Sequence, residues 1–218
     1  MKTKLISLTT GILDGENLSP EQLIVYTARV SNPDNQMNFE SSDRLIAYLI
    51  KNKHWSPFEM ADMTIEITTS RAIAAQILRH RSFSFQEFSQ RYSKVQMVDE
   101  IQLRWKADTN RQSSSKALTH EDDYADMRLY GIVNDAIEKA FEAYNDLLTV
   151  GIAKECARMV LPLATSSTIY MKGSIRSWIH YLQIRCDEHT QLEHRLIAEE
   201  IKAIFKAELP NISTALSW

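Results

Sequence analysis

Glycine, cysteine and proline are all scarce in this chain of 218 residues, which holds five glycines, two cysteines and five prolines. The glycines never form G-x-G-x-x-G, so any dinucleotide would be bound without a Rossmann turn. The cysteines, Cys156 and Cys186, form no C-x-x-C, which argues against a zinc site or a redox pair. Both lie in apolar helical patterns and are expected to be buried free thiols in a reducing cytosol. His189 and His194 are five apart and no H-E-x-x-H occurs, so no protein-built metal site is expected. Long hydrophobic runs are missing too. The opening MKTKLISLTTGILDGE is broken by polar residues and glycine, and reads as neither a secretory signal nor a membrane span. Internal repeats and low-complexity segments are absent. A pI near 6.1 argues against a nonspecific nucleic-acid binder, which would carry a broad basic face.

What is present is an ordinary globular composition, 44% hydrophobic and 24% charged. The length suits one domain over residues 1–218, able to bury about 70% of its unfolded surface. Charge is unevenly spread. From Arg71 to Lys94 the residues Arg71, Arg79, Arg81, Arg91 and Lys94 face only Glu87, a local balance of +4, so the remainder of the chain carries −7. A basic island in an acidic chain suits an anionic ligand, because guanidinium forks bind phosphate and carboxylate bidentately. Serine hydroxyls and loop amides would complete a phosphate cradle. The plainer alternative is a surface arginine cluster paired with acids elsewhere.

Along the chain, Lys4 to Thr9 reads as a strand, followed by a turn over Gly11 to Gly15. Ser19-Pro20-Glu21-Gln22 has the form of a helix start with a capping box, and the helix should run to about Val30. Ser42-Asp43 opens a second helix, with Leu45, Ile46, Leu49 and Ile50 on one face, ending near Asn52. Met63 to Thr69 alternates as a half-buried strand. Ser70 can cap a helix that delivers Gln76, Arg79 and His80 to its last turn. Tyr92 to Val98 reads as a strand and Asp99 to Leu118 as a polar, mobile excursion. Asp122 to Val150 repeats apolar residues every three or four positions, a long amphipathic helix serving as scaffold or oligomer interface. A short helix should end at Pro162. Ala164 to Met171 fits a strand, with a helical alternative. Two further helices follow, one with Arg176, His180 and Arg185 off its apolar stripe and one closed by Pro210.

The stretch from Arg79 to Arg91, RHRSFSFQEFSQR, has the pattern R-H-R-x2-S-x4-S-x-R. It resembles the signature of the flavin-dependent thymidylate synthases. The likeness extends over most of the chain: ARVS at Ala28 to Ser31, H-x-S-P-F-E at His54 to Glu59 beside the family's H-x-T-P-F-E, and ARMVLPL at Ala157 to Leu163 beside its A-R-x-x-L-P.

Carried over by position, the resemblance implies that Arg79, His80 and Arg81 reach FAD. Ser31, His54, Ser56, Glu59, Glu87, Ser174, Arg176, His180 and His189 would help to hold it. Gln76, Arg79, Glu87, Phe88, Ser89, Gln90, Arg91, Arg158 and Arg185 would bind deoxyuridine monophosphate (dUMP). Arg185 would be catalytic, facing the uracil ring and stabilising charge as the ring is activated. The implied reaction moves a methylene from 5,10-methylenetetrahydrofolate to dUMP and reduces it with hydride from FADH2, which NADPH regenerates. No cysteine nucleophile is required. For His54 the local alternative is a helix C-terminal histidine favoured by the dipole. Ser174 stands where the family often has asparagine and Ser56 where threonine is commoner, while Phe88 and Gln90 fill variable positions. The fold implied is α/β (α+β), a small mostly antiparallel sheet flanked by many helices, assembled as a cytoplasmic homotetramer with active sites between subunits. Two rivals remain: another nucleotide-directed flavoprotein, and a non-catalytic protein that senses a nucleotide phosphate.

Overall fold

The computed structural model describes residues 1–95, 98–108, 114–118 and 124–218, with backbone alone for 124–126. The elements in order are strands β1 (Lys2–Leu8), β2 (Gly11–Leu13) and β3 (Glu16–Leu18), helices α1 (Pro20–Ala28) and α2 (Ser42–Lys51), strand β4 (Asp62–Ser70), helix α3 (Arg71–Ile77) and strand β5 (Ser84–Glu87). Strands β6 (Arg104–Lys106) and β7 (Ser114–Ala117) precede helices α4 (Tyr124–Thr149) and α5 (Lys154–Ala157). Strand β8 (Ser166–Ser174) and helices α6 (Ile175–Arg185), α7 (Leu192–Glu208) and α8 (Pro210–Ala215) complete the chain. It divides into two compact units, one of Met1–Thr68, Ile77–Gln86 and Ile169–Trp218, the other of Thr69–Gln76 and Glu87–Thr168.

In the first unit a four-stranded sheet has the order β1-β4-β8-β5, with β1 antiparallel to β4 from Lys2 opposite Thr68. Alternation in β4 buries Met63, Ile65 and Ile67 completely, and helix α6 lays Ile175, Trp178, Ile179 and Leu182 into the core. The Trp178 indole Nε1 donates to the Met63 carbonyl at 2.9 Å, fixing α6 against the strand. Truncating such a buried tryptophan to alanine costs about 3–5 kcal/mol. The expected capping box is present: Ser19 Oγ accepts from the Gln22 amide and Gln22 Oε1 from the Ser19 amide. Helix α1 stops at Ala28, two residues short of expectation. The Gly11 to Gly15 turn is tighter than expected, a β2–β3 hairpin closed by Asp14 at φ 50° and Gly15 at φ 89°, the left-handed pair that a two-residue hairpin turn requires. Helix α8 is an addition. Buried Glu21 holds its first turn, accepting from the Ile212 amide at 2.9 Å and the Asn211 side chain at 2.7 Å, and burial raises its pKa against the lowering effect of those bonds.

In the second unit Tyr144 of α4, Val95 and Ala157 form a small core, with Phe141, Leu147, Leu148 and Leu161 packed against it. Helix α4 matches the expected amphipathic helix over its 26 residues, about 39 Å at 1.5 Å per residue. The expected start at Asp122 lies outside the described residues. Three expectations are corrected. Tyr92 to Val98 is not a strand: of its described residues only Val98 pairs, in an isolated bridge with Thr165, and residues 96 and 97 lie outside the described set. A strand forms instead inside the arginine motif, as β5. Within the Asp99 to Leu118 excursion, of which residues 109–113 lie outside the described set, Arg104–Lys106 and Ser114–Ala117 form the antiparallel pair β6–β7. Cys186 is partly exposed at the end of α6, and Cys156 is exposed because four-residue α5 turns Ala157 inward and Cys156 outward.

Candidate active site

In the first unit the site is built on the segment after α3 and on α6. Helix α3 ends at Ile77, so Arg79 and Arg81 emerge exposed in the following turn, with half-buried His80 between them. Phe83 anchors the motif. Its ring packs 4.8 Å from Trp178 and 5.8 Å from Tyr181. It also lies directly over Gly173, where an added Cβ would come within 2.5 Å. Glycine is therefore needed at 173 to let the phenylalanine close on the strand.

Arg176, His180 and Gln183 share one face of α6 at spacings of four and three, and line a cavity of about 550 Å³ with Lys53, Trp55, Glu59, Ser82 and Ser177. Arg176 Nη1 donates to Glu59 Oε1 at 2.6 Å, and Ser177 Oγ donates to the Ser82 carbonyl at 3.3 Å. Of these residues, sequence reasoning missed Lys53, Trp55, Ser82, Ser177 and Gln183. Gln183 could have been found from its helical spacing to Arg176 and His180. Lys53 could not, since its place follows from a left-handed residue (φ 57°) after α2.

Ser174 lines an adjoining cavity of about 350 Å³ and caps α6, its Oγ accepting from the Ser177 amide at 3.2 Å. Serine and asparagine are comparable helix caps, so the departure from asparagine keeps that role. Arg185, the last residue of α6, is half-buried and donates from Nε to His80 Nε2 at 3.0 Å. Burial first, then the nearby charges of Arg185 and His180, lower the His80 pKa to about 4. Behind it, Tyr181 and His194 are buried and share a 3.0 Å hydrogen bond. Burial, with Arg185 and His80 nearby, lowers His194 to about 3, and burial raises Tyr181.

Ser31, His54, Ser56 and His189 stand on exposed surface. Ser31 lies in the turn after α1, and Ser56 opens the 3-10 turn Ser56–Glu59. His54 packs edge-on against Tyr48 at 5.8 Å. His189 bonds Asp187 through its backbone amide at 2.9 Å and its ring at 2.7 Å; the amide bond first and then the ring bond lower the carboxyl pKa, and the ring bond raises that of the histidine.

In the second unit Ser89, Arg91 and Tyr92 line a cavity of about 410 Å³ with Ala153, Lys154 and Glu155. Arg91 Nη2 pairs with Glu155 Oε2 at 3.2 Å, Lys154 Nζ donates to the Tyr92 carbonyl at 3.0 Å, and Arg158 Nε donates to the Glu155 carbonyl at 3.4 Å. Glu87 is held by Ser167 Oγ at 3.0 Å. Gln90 is buried and accepts from Arg71 at 2.6 Å, so its side chain faces inward. Phe88 is partly exposed, its amide donating to the Thr168 carbonyl at 2.8 Å. Gln76 is half-buried in α3.

Residues 15–211 match the family model described as thymidylate synthase complementing protein. The chain is 49% identical over 221 residues to a flavin-dependent thymidylate synthase of Synechocystis sp., with all of both chains covered. This chain belongs to the flavin-dependent thymidylate synthase family. It is also 48% identical over 223 residues, again with full coverage of both, to a probable flavin-dependent thymidylate synthase of Paramecium bursaria Chlorella virus 1. Among solved structures, a UMP/dUMP methylase PolB from Streptomyces cacaoi bound with 5-Br dUMP has a TM-score of 0.82 at 27% identity, over 99% of this chain and 94% of that one. The α+β architecture with its antiparallel sheet thus agrees with the family fold implied by the arginine motif. Among the described residues no helix is long and apolar enough to cross a membrane, and no group of His, Cys, Asp and Glu is arranged to hold a metal ion.

Proposed function

We propose that this chain methylates dUMP reductively to dTMP as a flavin-dependent thymidylate synthase. The observation that carries this reading is the Arg185 guanidinium, half-buried and fixed through Nε by a neutral partner. A cation held that way stabilises negative charge developing on a pyrimidine ring, and does so best in a partly dry site.

The 550 Å³ cavity of the first unit fits FAD in kind: its volume lies in the range of ligand sites, Trp55 and Ile179 offer flat and apolar surface, and Arg176, Ser82, Ser177 and His180 offer polar contacts. Arg176, His180, Glu59 and Ser174 would hold the cofactor with exposed Arg79 and Arg81. When bound, the flavin supplies the hydride that reduces the transferred methylene, and NADPH restores it. Ser31, His54, Ser56 and His189 are exposed and open to ligand contact. In the second unit Ser89 and Arg91 would grip the nucleotide phosphate, with Arg158 beside them. The protein's share of the work is to hold nucleotide, folate and flavin in register rather than to supply a nucleophile.

A homotetramer with shared active sites belongs to the same reading. Its support is exposed apolar surface in the second unit, including Met127 (61% exposed) and Ile132 (57%) on α4, with Val150, Met159 and Leu163 near it in sequence. Cytoplasmic placement agrees with the two free cysteines. Formation of dTMP should require dUMP, 5,10-methylenetetrahydrofolate, NADPH and FAD together, each omitted in turn, on protein that light scattering finds tetrameric. Because PolB is also solved with 5-Br UMP, the assay should offer UMP as well. Turnover without folate would point instead to another flavoprotein activity, and a fully active monomer would remove the tetramer.

A further inference from the structure

Arg185 cannot be deprotonated under ordinary conditions, so its Nε–H is a donor at all times. The atom it meets, His80 Nε2 at 3.0 Å, must therefore carry a lone pair. His80 is neutral, with its proton on Nδ1. Its ring is set in a socket rather than left to find its own position. The Tyr181 ring meets it edge-on at 4.9 Å, Phe83 at 6.4 Å and His194 at 6.2 Å. Tyr181 and His194 are locked to each other by their hydrogen bond, and Phe83 is seated over Gly173. The backbone pins the residue as well, since the His80 amide donates to the Ile77 carbonyl at 3.1 Å.

A carboxylate at position 80 would also orient Arg185, but it would cancel the guanidinium charge. A neutral imidazole orients without cancelling. We propose that His80 is the positioning residue of Arg185: it fixes the guanidinium plane through Nε, leaves both terminal amino groups to the substrate, and leaves the positive charge uncompensated. This assignment rests on the reading in which Arg185 stabilises charge on the pyrimidine. It gives the central histidine of R-H-R a task separate from flavin contact, and it gives the buried Tyr181–His194 pair a purpose as the back wall of the socket.

The test is a set of variants in the assembled, FAD-loaded enzyme: His80→Gln, His80→Glu, His80→Phe, Arg185→Ala and the double variant His80→Phe/Arg185→Ala. For each, kcat, dUMP affinity from the flavin spectrum, and retained FAD are measured. Gln and Glu have the same shape and both offer an acceptor, so their difference reads charge and not fold. His80→Gln should keep kcat within about tenfold of wild type, while His80→Glu should lose on the order of a hundredfold, the scale of removing one charge-stabilising donor. The loss in His80→Glu should ease as pH falls and the new carboxyl is protonated. The double variant should be no slower than Arg185→Ala, because a group acting only through Arg185 has nothing left to act on, and FAD should be retained throughout. Equal kcat in the Gln and Glu variants, a double variant slower than Arg185→Ala by the full product of both losses, or release of FAD from His80→Phe would each overturn the assignment while leaving the synthase reading intact. Wild-type turnover in Arg185→Ala would overturn both.

Discussion

Arg185 and Arg91 are held in opposite ways. Arg185 is half-buried and bonded to a neutral histidine, so its charge remains available. Arg91 has a side chain 65% exposed, paired at 3.2 Å with Glu155, itself 54% exposed, so its charge is balanced in the absence of a competing anion. A residue that must stabilise charge forming during a reaction gains from an uncompensated, preorganised site. A residue that must capture and release a preformed dianion gains from an exposed site, where an ion pair is worth only about 0–1 kcal/mol and exchanges readily. On this account the same side-chain type is used for chemistry in one unit and for capture in the other.

The largest effect should come from Arg185→Ala, which lowers kcat by about 10²- to 10³-fold, the cost of one charge-stabilising donor, with retained FAD unchanged. Steady-state turnover beside a flavin spectrum checks both halves. Next is Arg91→Ala. Losing charged hydrogen bonds worth about 1.5–3 kcal/mol should raise the dUMP KM about tenfold to a hundredfold with kcat nearly held. If kcat fell instead, the division between chemistry and capture would be broken. Glu155→Gln should act in the opposite direction, lowering the dUMP KM by up to about fivefold at low salt, an advantage that fades as salt screens the pair.

The smallest expected effect is on stability. His80 and His194 have pKa values lowered to about 4 and about 3, so between those values and the ordinary 6.5 the unfolded chain binds more protons than the folded one. Their contribution is complete above pH 6.5 and is lost as pH falls through 4 and 3. Thermal midpoints should therefore decline from pH 7 to pH 5, and His194→Gln should flatten that slope whatever it does to the midpoint at pH 7. A slope unchanged in that variant would mean that other groups set the acid sensitivity.

The candidate site positions stood out because they combine residue types that are costly to group, and because Arg176 and His180 fall four apart, off the apolar stripe of α6. The helices with strong apolar faces were legible for the same reason, down to the Ser19 capping box. Strand β5 was hidden inside the charged motif, since four residues with one half-buried phenylalanine give too short an alternation to be recognised. Helix α8 was hidden because its first turn depends on Glu21, about 190 residues earlier. The pairing of Arg185 with His80 spans 105 residues and was equally invisible, although both residues had been singled out. Position in sequence marked the candidates, and tertiary contact decides which neighbours each one meets. The outward turn of Cys156 makes the same point from the other side: an apolar neighbourhood in sequence did not determine which way a four-residue helix would face.

The most direct measurement is the visible absorption spectrum of the purified protein after FAD is added and the excess removed, repeated during titration with dUMP. Retained flavin bands that shift with the nucleotide are the result this account predicts, because they place both ligands on one working enzyme. A folded, assembled protein that retains no flavin would contradict it and leave the arginines serving some other anion.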